Sequence, residues 1–270
     1  MSVRRPDTDL TIPDRIGSPE LPAHLRSGLT YGVELPGSEC GFLEEQPGFE
    51  VFPEDYCREL LADPSRVRGS KRVDWQIDQN GHGSCASASA LNEILDVRRR
   101  ENQRPVWFNW LYNYAQKDVG GGQDRGSSLA ANLISIREDG CCPMSVRPFS
   151  RGIRAPTEEE REAAKAYKGQ EFFRLQTLGA FRTLLLSDIP VCAGYRGHAI
   201  TFYELENYEQ GIYDNTWGLD WGYKPHPDCK KEGGFGLLSL AKIYLPYGMY
   251  AILTTTDTRH LDESRFLQAV

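Results

Sequence analysis

The residue pattern changes character at Pro190, and that change limits the folds open to the chain. Before it, apolar residues recur at helical spacing. Leu129, Leu133 and Ile136 share one face in "SSLAANLISIREDG", and Gly140 supplies the stop. After it come short β-branched or aromatic runs bounded by glycine, asparagine and aspartate: "VCAGY", "HAITFYEL", "GIYDN", "GFGLLSL" and "MYAILTTT". Helices first and strands second predict an α+β protein with segregated layers, not alternating βαβ units. A chain of 270 residues suffices for one large domain or two closely packed subdomains.

Further helices are predicted in "WFNWLYNYAQK", in "TEEEREAAKAY", where Thr157 and Glu160 stand at capping-box spacing, and in "LGAFRTLLL". Residues 1–70 are rich in proline and charge and read as an extended arm, apart from a short helix in "EDYCRELLAD". The expected division is therefore an arm at 1–70, a helical subdomain at 71–175, a β-rich subdomain at 176–255 and a tail at 256–270.

Charge and cysteine usage narrow the function. Net charge is −7 with both signs interspersed, which gives no reason to expect nucleic acid or an anionic membrane as partner. There is no apolar run of membrane-spanning length, and "MSVRRPDTDLTIPDR" does not read as a secretory signal. Seven cysteines at irregular spacing (Cys40, Cys57, Cys85, Cys141, Cys142, Cys192 and Cys229) read as mostly reduced thiols, so a cytoplasmic or otherwise reducing compartment is expected. No CxxC pair exists. His226 and Cys229 in "HPDC" lack a second pair and read as a polar surface loop, so neither metal nor cofactor is expected.

The stretch "DQNGHGSCASASALNEIL" places a single cysteine where a glycine-rich turn becomes a helix. Ser84 is expected to cap that helix, with Ala88, Leu91 and Leu95 on its apolar face and "DVRRR" setting cations in its last turn. Cys85, one residue past the cap, lies where unpaired N–H groups and the positive dipole end stabilise a thiolate. Cysteine is also among the most buried residue types. On this stretch alone, activated nucleophile and small core residue stand as equal readings.

Downstream, "YRGHAITFYELE" sets His198 at the mouth of an apolar strand, and "YDNTWGLDWGY" sets Asn215 at a strand end before two Trp-Gly pairs. Gln79 lies six residues before Cys85. In this order the chain resembles the papain-like cysteine peptidases. The resemblance implies Gln79 as oxyanion-hole amide, Cys85 as nucleophile, His198 as base, Asn215 as the residue that orients the imidazole, and Trp217 as its indole shield. "IREDGCCPMSVRPFS" is similar to the family's helix end and Gly turn, and the likeness spans about residues 73–253. It implies a helical subdomain followed by an antiparallel, barrel-like β-rich one, with the active site in the cleft between them.

Three departures accompany it. His82 stands where the family has a cysteine, so the disulfide made there is missing; His82 itself reads as a loop residue. Ala86 replaces an aromatic residue beside the nucleophile. Between "PVCAGY" and "GHAI" little remains of a long excursion, which predicts two strands joined almost directly and a cleft more open on the β side. The arm does not resemble the family's helical propeptide, and reads as covering the cleft, packing on the body or binding a partner.

The implied activity is hydrolysis of peptide bonds in a protein or peptide substrate through a thioester acyl-enzyme. A thiolate–imidazolium pair attacks the carbonyl, while the Cys85 N–H and the Gln79 amide hold the oxyanion. Two alternatives stay open: a non-catalytic structural or binding module of a larger assembly, and an acyltransferase using the same acyl-enzyme.

Overall fold

The structure is a computed structural model that describes residues 40–63, 77–104, 106–117, 119–121, 124–149, 152–218, 221, 234–243 and 248–258. The described helices are α1 (Glu54–Ala62), α2 (Cys85–Arg100), α3 (Trp110–Tyr114), α4 (Leu129–Glu138), α5 (Glu158–Ala164) and α6 (Leu178–Leu186). The strands are β1 (Gly169–Leu175), β2 (Val191–Tyr195), β3 (His198–Asn207), β4 (Gln210–Asp214), β5 (Phe235–Ser239) and β6 (Met249–Thr255). They form a six-stranded sheet in the order β1-β6-β2-β3-β4-β5, every neighbouring pair antiparallel. The architecture is α+β with segregated elements. No described helix is long and apolar enough to cross a membrane.

One expectation needs correction. The sheet is open, with β1 and β5 at its edges, and does not close into a barrel. Its strand β1, "GQEFFRL", pairs with β6 at the far end of the chain. Its alternation is weak, with Gln170 and Glu171 both exposed before the buried Phe172, because it is an edge strand held mainly by its long-range partner.

The sheet carries a core on each face. On one side α2, α3 and α4 pack Leu91, Ile94, Leu111 and Leu133 against Cys192, Ala199, Tyr203 and Ile212. On the other, α6 packs Phe181, Leu184 and Leu185 against Ile200, Phe202 and Tyr213. Residues alternate between the faces from Ala199 to Tyr203, as the two-residue period of a strand requires, until the register shift between Phe202 and Glu204 turns Leu205 to the Phe202 side.

Helix α2 is buried from Cys85 through Val97 and at Arg98, all the way round rather than along one stripe. Its small residues make this possible. Ser87 donates to the Trp110 carbonyl at 2.6 Å, and the Ser89 carbonyl accepts from Thr201 Oγ1 at 3.0 Å. Glu93 accepts from the Cys192 N–H at 2.6 Å, so side-chain bonds tie this helix directly to β2 and β3.

The shortened connection is a hairpin. Arg196 (φ 46°) and Gly197 (φ 79°) link β2 to β3 with two left-handed residues, the conformation that matches strand twist. The last described part of the proline-rich segment packs on the β-rich side. Phe42 bridges Arg174, Glu44 accepts from the N–H groups of Gln176 and Thr177 at 2.9 and 3.0 Å, and the Phe52 N–H reaches Thr183 Oγ1 at 2.9 Å. Residues 1–39, His226 and Cys229 lie outside the described residues.

Candidate active site

The chain enters α2 through Asn80 and Gly81, both left-handed (φ 55° and 80°), a turn that aims the helix start at the sheet. Ser84 holds the cap position, but its hydroxyl makes no capping bond. This corrects the expectation of a side-chain cap: with ψ at 19°, Ser84 lacks the extended backbone from which a hydroxyl reaches the second or third N–H. The first-turn N–H groups therefore stay open to another acceptor. Burial pushes the Cys85 thiol up to about 11, against hydrogen bonds from the backbone of Ala199, Ala86 and Cys85 itself that pull it down. Ala199 follows His198, so the sulfur lies against the start of β3.

The pairing of Thr201 with Asp214 sets the beginning of β3 beside the end of β4. His198 Nε2 consequently meets Asn215 Oδ1 at 2.9 Å, with the Asn215 carbonyl at 3.4 Å. Both are acceptors, so Nε2 carries the proton and donates. Nδ1 is left as the lone-pair nitrogen; it is buried and has no hydrogen-bond partner. No hydrogen bond joins it to Cys85 Sγ in this conformation. The Trp217 ring lies 5.0 Å from the imidazole at 41°, with Trp221 edge-on behind it at 5.6 Å. Burial pushes His198 down to about 4, the two bonds that it donates to Asn215 pulling the other way.

Gln79 is held at three points. Its N–H donates to the Thr216 carbonyl at 2.9 Å, its Oε1 accepts from Thr216 Oγ1 at 2.8 Å, and its Nε2 donates to the His82 carbonyl at 2.6 Å. A primary amide has two N–H groups, so one remains without a protein partner. Thr216 sits in the left-handed region (φ 56°) between the residue that holds the imidazole and the indole beside it.

The four residues singled out from sequence thus fall at one seam between α2 and the sheet. Cys85 is 0 %, Asn215 0 %, Gln79 1 % and His198 1 % exposed, so all four side chains are covered. Sequence reasoning missed Thr216, legible only as the residue after Asn215, and Asp124, which had no local signal. Among the described residues no group of three or more His, Cys, Asp or Glu side chains could hold a metal ion.

No sequence-family model matches the chain, and no curated protein matches it. Solved structures do. Xylellain, a cysteine protease from Xylella fastidiosa, is 17 % identical with a TM-score of 0.57, over 76 % of this chain and 91 % of that one. The cysteine protease CMS1MS2 of Carica candamarcensis, in complex with E-64, is 14 % identical with a TM-score of 0.51, over 68 % and 93 %. Digestive procathepsin L 3 of Tenebrio molitor is 15 % identical with a TM-score of 0.51, over 68 % of each chain. At these identities the likeness establishes the fold, and the fold is papain-like.

Proposed function

We propose that the chain is a cysteine peptidase that cleaves peptide bonds through a thioester. The observation that carries this reading is the polarity of His198: Asn215 Oδ1 takes the Nε2 proton, which leaves Nδ1 as a base on the strand whose next N–H faces the Cys85 sulfur. In the reaction the Cys85 sulfur, its proton passed to Nδ1, adds to the substrate carbonyl. The oxyanion formed takes hydrogen bonds from the Cys85 N–H and the free Gln79 N–H, a donor of this kind being worth about 3–4 kcal/mol. The tetrahedral species expels the amine, which leaves with the Nδ1 proton. Water, deprotonated by Nδ1, then hydrolyses the thioester. Asn215 needs no charge, because it only directs the ring. Cys40, Cys57, Cys85, Cys141, Cys142 and Cys192 are free thiols, which fits a reducing compartment.

Burial favours a second reading, a papain-like fold kept as a binding module, since neither Cys85 nor His198 meets solvent here. One experiment separates them. The protein is treated with E-64 and offered a peptide library under reducing conditions, beside Cys85→Ala and His198→Ala. Preferential labelling of Cys85, lost in His198→Ala, together with cleavage lost in both variants, is the outcome for a peptidase. Slow labelling spread evenly over the cysteines leaves the binding module. An added amine captured in the product marks acyl transfer in place of hydrolysis.

A further inference from the structure

We infer that Asp124 is a positioning residue for the oxyanion donor, acting through the loop before Cys85; the inference rests on the peptidase reading. Asp124 lies far along the chain from Gln79 and touches none of the four site residues, yet its carboxylate gathers that loop. Oδ1 accepts from the Gly83 N–H at 2.6 Å and from the Tyr114 hydroxyl at 3.2 Å, and Oδ2 faces His82 Nδ1 at 3.1 Å. An ionised carboxylate only accepts, so His82 Nδ1 carries a proton toward it. Tyr114 is buried on α3 and its oxygen in turn accepts from the Gly126 N–H at 2.9 Å, which anchors the backbone two residues after Asp124 to the same hydroxyl.

The consequence reaches the reacting centre through one atom. The His82 carbonyl is the acceptor for Gln79 Nε2, so wherever the backbone at His82–Gly83 goes, the amide follows. Thr216 holds the oxygen end of that amide from the sheet side, and Asp124 holds the nitrogen end, by way of His82, from the helical side. With both ends fastened, the remaining N–H has one direction. His82 occupies the place where the resembled family has a disulfide cysteine, and its ring contributes to a polar tie to residue 124 instead. Asp124 is exposed, with 36 % of its side chain open to solvent, and its three hydrogen-bond contacts go to Gly83, His82 and Tyr114, which assigns it to orienting the loop.

The test uses the full chain with Asp124→Ala, Asp124→Asn and His82→Ala, each first checked for a cooperative melt. A peptide aldehyde reads the oxyanion site, because its adduct with Cys85 carries the oxygen there; iodoacetamide reads the sulfur alone. For Asp124→Ala, kcat and aldehyde affinity should fall about tenfold, part of the loss seen when an oxyanion donor is removed outright. KM and the iodoacetamide rate at Cys85 should stay within about twofold. Asp124→Asn, which keeps an acceptor for Gly83, should recover most of the loss, and His82→Ala, which keeps the carbonyl, should fall about threefold. If Asp124→Ala does not fold, His82→Ala carries the test: its aldehyde affinity and kcat should fall about threefold while the iodoacetamide rate at Cys85 stays unchanged. Aldehyde and alkylation falling together, or neither moving, overturns the positioning role while peptidase activity stands. A wild-type chain that binds no aldehyde and shows no preferred reaction at Cys85 overturns the peptidase reading and this role with it.

Discussion

Removing the indole beside His198 is the perturbation that most directly probes the covered site. Taken one at a time, the Cys85 thiol stands at about 11 and the His198 imidazole at about 4, both displaced by burial. Moving the proton from sulfur to nitrogen across a gap of about seven pKa units costs about 10 kcal/mol. The attraction of the resulting pair, at ~4 Å and an effective dielectric of ~20, returns only about 4 kcal/mol. Burial thus pushes both groups toward their uncharged forms. Return both groups to their ordinary values of 9.0 and 6.5 and the cost drops to about 3 kcal/mol, which the same attraction offsets. On the peptidase reading, admission of water or substrate would make the reactive pair.

Trp217→Ala opens the imidazole to solvent from the side where the ring lies 5.0 Å away. Even half of the displacement from 6.5 toward 4, if relieved, raises the imidazolium fraction near neutral pH by about eighteenfold. The assay is NMR titration of the His198 ring, assigned by its loss in His198→Ala among the five histidines, alongside the iodoacetamide rate at Cys85. The wild-type ring should titrate well below 6.5 and the variant's midpoint should move up, with faster alkylation near pH 6–7. A wild-type imidazole that stays protonated above pH 7, or a midpoint indifferent to Trp217, would refute the burial argument.

Other consequences can be measured. Asn215→Ala removes a hydrogen bond of about 1–1.5 kcal/mol and frees the ring, so kcat should fall at least tenfold in steady-state cleavage, with little change in melting temperature. Acid sensitivity should be muted because two buried groups oppose each other. His198, lowered to about 4, is protonated in the unfolded chain first, and so removes about 3 kcal/mol as pH falls from 6.5 to 4. Burial raises Asp96 from 3.8 to about 6, so the folded chain binds its proton first and gains about 3 kcal/mol over nearly the same window. Urea titrations at pH 4.5 and 7 should show Asp96→Asn more acid-sensitive than wild type and His198→Ala less so; parallel slopes in all three would contradict it. Gly140→Ala forces a side chain onto φ 82° with its Cβ 1.9 Å from the Ala164 carbonyl oxygen, so chemical denaturation should report a loss of about 3 kcal/mol or more.

Much of the site was readable because its residues sit in stretches whose local grammar is strong. Glycines before Cys85, a strand start at His198 and a Trp-Gly turn after Asn215 each announce their backbone, and their order along the chain carried the resemblance. Elements of weak local pattern were harder. Strand β1 has no clean alternation and depends on pairing with β6, from which almost the whole β-rich part of the chain separates it. The serine cap failed for a related reason: the residue type was right, but the backbone angle that lets it cap is set by how the loop packs.

Residue order and periodicity alone indicated helices first and strands second, because these are properties of near neighbours in the chain, and the family resemblance singled out Gln79, Cys85, His198 and Asn215. Only the tertiary structure decided that the sheet stays open, that Asp124 ties the loop before Cys85, and that burial pushes thiol and imidazole toward their uncharged forms. Each of those depends on groups distant in sequence sharing one small volume, where desolvation and hydrogen-bond geometry act over a few ångströms and leave no mark in a local pattern.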